Sequence, residues 1–218
     1  MTGTLLIGSR RYSSWSLRGW LAVRLAGLDV TDEVIALKGG GRTTEIHVRS
    51  PNRLVPYLVH DGAQVWESLA ICEYCAEIAP ALWPEDRIAR AHARSISAQM
   101  AAGFRPIRQA CPMDLERAPA PLSETGGELA KDIALLSETL KNALMRSGQA
   151  TRYLFGEDPT IADCMYAPIA IRIHLYQLAV DDVVARWVRE MLDHPLMREW
   201  AALADAEPAE WRLSYDSK

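Results

Sequence analysis

Apolar and polar positions follow two rhythms along the 218-residue chain, and the change between them falls near residue 80. Thr4 to Gly8 is an apolar run of strand length, and Leu17 to Leu28 carries leucines at 17, 21, 25 and 28 along one helical face. Gly27 is the natural stop for that helix. Val34 to Leu37 predicts a short second strand. Val55 to Val59 and Gln64 to Trp66 predict two more, joined by a turn in which Asp61-Gly62 supplies hairpin chemistry. Pro56 stands at the start of this hairpin, where a proline can be cis and lacks an N–H, so the residue before it can turn its backbone toward a ligand. Glu67-Ser68 then opens a helix that runs to about Ile78.

Beyond about residue 85 the alternating rhythm stops and only helical spacing remains. The pattern predicts one long helix from Arg87 to Cys111, with Ile88, His92 and Ile96 on one line and Arg87, Arg90 and Arg94 on a solvated one. Helices follow at about Ser123–Met145, through Leu178 from the Asp158–Asp163 segment, at Asp182–Leu192 and at Pro195–Ala204. Thr160 and Asp163 have the spacing of a capping box, and Met165 to Leu178 is apolar nearly all round, as a buried central helix is. The expected organisation is an α+β unit over residues 1–80, a proline-containing linker over 81–86 and an all-helical unit over 87–218.

Charge and composition narrow the function more by exclusion than by assignment. A net charge of −4 gives no general attraction to nucleic acid or to an anionic membrane surface. With no signal-type leader and no apolar run of membrane-spanning length, a cytoplasmic location is the expectation. Cys72, Cys75, Cys111 and Cys164 are too scattered for a disulfide scaffold.

Against that background Tyr12-Ser13-Ser14-Trp15-Ser16-Leu17-Arg18 is the most informative stretch. A strand that breaks into small hydroxyl residues and then into helical spacing is a strand, turn and helix start. Such a start presents unpaired amides and the positive end of a helix dipole to an anion. Lys38-Gly39-Gly40-Gly41-Arg42 reads either as a mobile surface loop or as a wrap for an anionic group. Cys72 and Cys75 form a CxxC inside a predicted helix, the position of buried structural thiols, and no second pair completes a zinc site. None of the five histidines shows metal-ligand spacing, so no metal is expected; His174 on the apolar helix reads as a core residue.

Four motifs, in order along residues 4 to 205, resemble those of the glutathione transferases. Ser13-Ser14-Trp15-Ser16-Leu17-Arg18 resembles the serine segments of the zeta and tau classes and Val55-Pro56 the V-P with its cis proline. Glu67-Ser68-Leu69-Ala70-Ile71 resembles E-S-x-A-I, and Thr160-Ile161-Ala162-Asp163 the S/T-I-A-D box. The resemblance implies a thioredoxin-like N-terminal domain (βαβ-α-ββα), an all-α helical-bundle C-terminal domain and a homodimer. Its implied ligand is glutathione, used as a co-substrate whose thiolate attacks an electrophilic small molecule.

By position Ser13 matches the family's catalytic serine, and a one-residue shift in the helix start would give that role to Ser14. A hydroxyl donating to the sulfur there, aided by the dipole, lowers the thiol pKa. Tyr12 is an alternative donor or a residue packing over the turn. Val55 and Pro56 correspond to the segment that pairs with the cysteinyl part of glutathione, and Glu67 and Ser68 to the γ-glutamyl site. Leu54 stands where many relatives carry Lys or Gln for the glycyl carboxylate, leaving Arg53, Lys38 or Arg42 as substitutes. Trp15, Met100, Phe104 and Arg108 are candidates for the second-substrate wall, with a plain core role as the alternative for Met100 and Phe104. Trp15 replaces the cysteine of zeta isomerases, which favours conjugation over maleylacetoacetate-type isomerisation. A non-catalytic interaction protein retaining the fold is the remaining alternative, motivated by Leu54.

Overall fold

A computed structural model describes residues 3–213 apart from 147 and 149, so the last residues of the expected helical unit, 214–218, lie outside the described residues. Strand β1 (Gly3–Gly8) leads through a tight turn into α1 (Ser14–Leu25), and β2 (Val30–Ile35) returns parallel to β1. The hairpin of β3 (Tyr57–His60) and β4 (Ala63–Trp66) completes a four-stranded sheet in the order β2-β1-β3-β4, with β3 antiparallel to both neighbours. Asp61 and Gly62 take positive φ at its turn, as the Asp-Gly pair predicts. Helix α3 (Ser68–Ile78) covers the sheet beside α1. This is the thioredoxin-like arrangement expected from the resemblance.

Two N-terminal expectations change. The second strand is Val30–Ile35 rather than Val34–Leu37, because Asp32 and Glu33 break the apolar pattern on which that expectation rested. Asp32 nevertheless fits inside the strand, since its carboxylate accepts from Trp20 Nε1 (2.8 Å), Arg10 Nη2 (2.8 Å) and Arg24 Nη2 (2.7 Å). A four-residue helix, α2 (Ile46–Arg49), sits in a stretch with no periodic signal.

The helical part runs α4 (Arg87–Ala102), α5 (Arg105–Ala110), α6 (Gly127–Leu144), α7 (Ile161–Tyr176), α8 (Asp182–Asp193) and α9 (Pro195–Asp205). The single helix expected over Arg87–Cys111 is thus two. Pro106 has no N–H to continue a ladder, and Phe104 turns left-handed at φ 55°. Gly103 permits the bend, since a Cβ there would sit 2.8 Å from the Gln99 carbonyl oxygen. Ile88, expected on the packed line, is exposed, and α4 buries Ala93, Ile96, Ser97 and Met100 instead. Arg87 and Arg94 are exposed as expected, while Arg90 folds back onto the carbonyls of Pro84 and Glu85.

Helix α7 is the central helix the apolar run predicted. Asp163 closes its capping box by accepting from the Thr160 amide (2.8 Å) and hydroxyl (2.9 Å). Its other oxygen takes the Leu154 amide (3.0 Å) and Trp187 Nε1 (2.9 Å). Burial pushes this carboxyl upward, opposed by those four hydrogen bonds. His174 departs from expectation: it lies in the last turn of α7 on the one face that emerges to solvent. Helices α1 and α3 both pack on α7, so the sheet unit and the helices share one core.

Candidate functional site

The first helix starts at Ser14, three residues earlier than the leucine periodicity alone suggests, and Ser13 is its N-cap. Ser13 Oγ accepts from the Ser16 amide at 3.4 Å, and the two serine hydroxyls lie 2.7 Å apart. The turn before Ser13 is fastened by groups from the far end of the chain. Glu207 accepts the amides of Arg10 (2.6 Å) and Arg11 (3.4 Å), Trp200 Nε1 donates to the Arg10 carbonyl (3.1 Å), and Arg11 Nη2 donates to the Ala204 carbonyl (3.0 Å). The backbone of the serine loop is therefore held by the helical part.

Beside this helix start opens a cleft of about 430 Å³. Tyr12, Ser13, Ser14 and Trp15 line it. Leu37, Gly39–Gly41, Thr43, Ile46, His47, Arg53, Leu54, Val55 and Leu213 complete the lining. A second compartment of about 190 Å³ shares Trp15, Leu54 and Val55 and adds Asn52, Pro56, Glu67 and Ser68. The Val55–Pro56 bond is cis, and neither backbone group of Val55 has a hydrogen-bond partner among the described residues. An extended peptide laid along this segment could pair with both groups. Glu67 caps α3 at φ 68° and accepts from Asn52 Nδ2 at 3.0 Å; Ser68 is the first residue of α3.

The structure sorts the other candidates. Arg53 reaches the cleft wall, whereas Lys38 is absent from the lining and Arg42 curls back onto the carbonyls of Lys38 and Gly39. Gly39, Gly40 and Gly41 all take positive φ, a conformation that side chains resist, and their backbone forms part of the wall. Met100 and Phe104 are buried core residues, 0 % and 4 % exposed, with Phe104 edge-on to Tyr166; neither lines the cleft. Helical spacing alone could not separate wall from core. Tyr12 lines the cleft, and its hydroxyl accepts from the Leu213 amide at 3.0 Å. Cys72 and Cys75 are buried in α3, and burial pushes the Cys75 thiol up to about 12.

Behind the serines lies a concentration of positive charge. Arg172 of α7 donates to the carbonyls of Cys111 (2.8 Å) and Pro168 (3.1 Å) and directs Nη2 at Ser14 Oγ (3.5 Å). Arg18 donates Nε to the Met165 carbonyl (2.8 Å), while its two terminal nitrogens are buried without partners among the described residues. The Trp15 ring sits between Arg18, at 4.2 Å from the ring centroid, and Arg108, at 5.3 Å. Burial first, then mutual repulsion among these arginines, lowers Arg18 to about 9; burial likewise lowers Arg172 to about 10. Such a cluster stabilises an anion beside the hydroxyls.

Comparison with known proteins matches residues 12–78 to the glutathione S-transferase N-terminal domain and residues 116–203 to the glutathione S-transferase C-terminal domain. The chain belongs to the glutathione S-transferase family. Among similar proteins, a probable maleylacetoacetate isomerase of Caenorhabditis elegans is 31% identical over 171 residues, 78% of each chain. Maleylacetoacetate isomerase of Rattus norvegicus is 33% identical over 167 residues, 73% of this chain and 72% of that one. Solved structures share the fold. A glutathione transferase homologue from Burkholderia gl BGR1 with bound glutathione has a TM-score of 0.71 at 24% identity, covering 95% of this chain and 100% of that one. The theta class glutathione S-transferase of Xanthomonas axonopodis pv. citri, with glutathione bound, has 0.63 at 20%, covering 91% and 96%.

In this member of the glutathione S-transferase family, sequence reasoning passed over Ser16, Thr43, His47, Arg172 and Glu207. His47 and Thr43 lie in a stretch without periodicity, and Arg172 and Glu207 reach the serine loop only through the folding of distant segments. Ser16 lies inside the serine motif, but its complete burial is visible only in the folded structure.

Proposed function

We propose that this protein binds glutathione in the two-compartment cleft and activates its thiol for attack on an electrophilic small molecule. The observation that carries the reading is the conjunction, in one cleft, of the hydroxyls at the start of α1, the unpaired backbone of Val55 and the Glu67-Ser68 start of α3. A thiolate beside the serines meets a helix dipole and a cationic background, and the γ-glutamyl end, carrying an ammonium and a carboxylate, meets Glu67 and the amides of α3. Arg53 is the cation in reach of the glycyl carboxylate that Leu54 cannot serve. The division into a glutathione-binding unit over 1–80, a linker over 81–86 and a helical unit over 87–218 belongs to this reading. So do the homodimer and a cytoplasmic location, with no metal, nucleic acid or membrane partner.

A second reading, glutathione-dependent isomerisation, draws support from the maleylacetoacetate isomerases among the relatives. Both readings need the thiolate, and they differ in whether the adduct is released or reverts. Trp15 in place of cysteine keeps conjugation first. Purified protein is expected to bind glutathione by calorimetry and conjugate it to a chloronitrobenzene-type acceptor, with Ser13→Ala lowering the rate about tenfold or more. Unchanged rates in both Ser13→Ala and Ser14→Ala refute the assignment. Efficient turnover of a maleylacetone-type substrate with no conjugation moves the reading to isomerisation. Absence of glutathione binding at millimolar concentration moves it to a non-catalytic interaction protein.

A further inference from the structure

We propose that Ser16 is a positioning residue: it fixes the direction of the Ser13 hydroxyl proton so that Ser13 can only donate into the cleft. This rests on the glutathione reading above. Ser16 is the third residue of α1 and is fully buried at 0 % exposure, so its hydroxyl has no solvent to bond. Its side chain points back toward the helix start, as helical side chains do. There its Oγ meets two groups only among the described residues, the Gly8 amide at 3.0 Å and Ser13 Oγ at 2.7 Å.

Counting protons and lone pairs then sets the order. Either of two adjacent hydroxyls can donate, but a hydroxyl has one proton and two lone pairs. The Gly8 amide is an obligate donor and fills one lone pair of Ser16. The Ser16 proton has one acceptor within reach, Ser13 Oγ. Were Ser13 to donate instead, the proton of a wholly buried hydroxyl would have no partner, which is the costly arrangement. Ser13 Oγ therefore accepts twice, from the Ser16 hydroxyl and from the Ser16 amide at 3.4 Å. Its acceptor capacity is filled, and its single proton is left for the cleft it lines.

The result is a chain of one polarity: Gly8 N–H to Ser16, Ser16 O–H to Ser13, Ser13 O–H to the glutathione sulfur. Its first member belongs to β1, so the order is anchored in the sheet. Each bond accepted makes a hydroxyl a stronger donor to the next group. A terminus that can donate but not accept favours a thiolate over a thiol, which lowers the pKa of the bound sulfur. Ser14 stands outside this chain.

The test is ultraviolet titration of the thiolate of glutathione bound to the full-length protein, with conjugation kinetics alongside. Ser16→Ala is expected to raise the bound thiol pKa by about 0.5–1 and to lower kcat at neutral pH about three- to tenfold, with the glutathione dissociation constant changed less than about twofold. Ser16→Thr, which keeps the hydroxyl, restores both. Ser16→Cys keeps the volume with a weaker donor and shifts the pKa in the same direction, which serves if the alanine variant folds poorly. Because Ser16 acts through Ser13, adding Ser16→Ala to Ser13→Ala costs nothing further. An unchanged pKa in Ser16→Ala, or losses that multiply in the double variant, overturns the proposal alone. Wild-type protein that binds no glutathione overturns the glutathione reading and this inference with it.

Discussion

Replacing Arg172 by Met tests how far the helical domain sets the chemistry of a sulfur held by the sheet domain. The guanidinium directs Nη2 at Ser14 Oγ from 3.5 Å, and Ser14 adjoins Ser13, so a thiolate accepting from Ser13 lies on the order of 7–10 Å from the charge. At an effective dielectric constant of about 20–40, a unit charge at that distance contributes about 0.8–2.4 kcal/mol, equivalent to lowering the thiol pKa by about 0.6–1.7. Arg172→Met is therefore expected to raise the pKa of bound glutathione by about that amount, read from thiolate absorbance against pH, and to shift the rising limb of the pH–rate profile equally. Folding is affected as well. The Pro168 carbonyl also has the helix ladder of α7 available, whereas the Cys111 carbonyl loses its donor, a cost of about 1–3 kcal/mol visible in the denaturation midpoint. Arg172→Lys retains the charge without the fork and should recover most of the pKa but not the stability. A folded Arg172→Met protein whose bound thiol titrates with the wild type refutes the electrostatic argument.

Two further outcomes follow from buried carboxylates. Asp163→Ala strips partners from the Leu154 and Thr160 amides, the Thr160 hydroxyl and Trp187 Nε1, and should cost about 3–5 kcal/mol in chemical denaturation. A loss below about 1 kcal/mol would mean that water replaces the carboxylate there. Burial pushes the Glu207 carboxyl above its ordinary value of 4.5, against lowering from the amides and charges of Arg10 and Arg11. The folded chain then binds that proton more tightly than the unfolded chain, so this group's contribution falls as pH rises from about 4.5 through the folded pKa. Wild type should lose stability relative to Glu207→Gln across that window and run parallel to it above; urea midpoints that stay parallel throughout contradict the assignment.

Much of the fold was legible because its signals are local. The Asp61-Gly62 turn, the capping box of Asp163 with Thr160 and the all-round apolar α7 each follow from residues close together in the chain. So does the hydroxyl-rich start of α1, the part of the site that a sequence declares unaided, since capping chemistry and helix dipole arise within one turn. What the tertiary structure decided depends on contacts between distant segments. Val30–Ile35 is a strand because Asp32 finds Trp20, Arg10 and Arg24 around it, Met100 shares the buried face of α4 with Ala93 and Ile96, and Phe104 packs in the core at the left-handed turn that follows Gly103. The serine loop takes its shape from Glu207 and Trp200, nearly two hundred residues away, and its charge from Arg172. Periodicity reports which face of an element is apolar, but not which distant partner a polar side chain meets, and at this site those partners set both the geometry and the electrostatics.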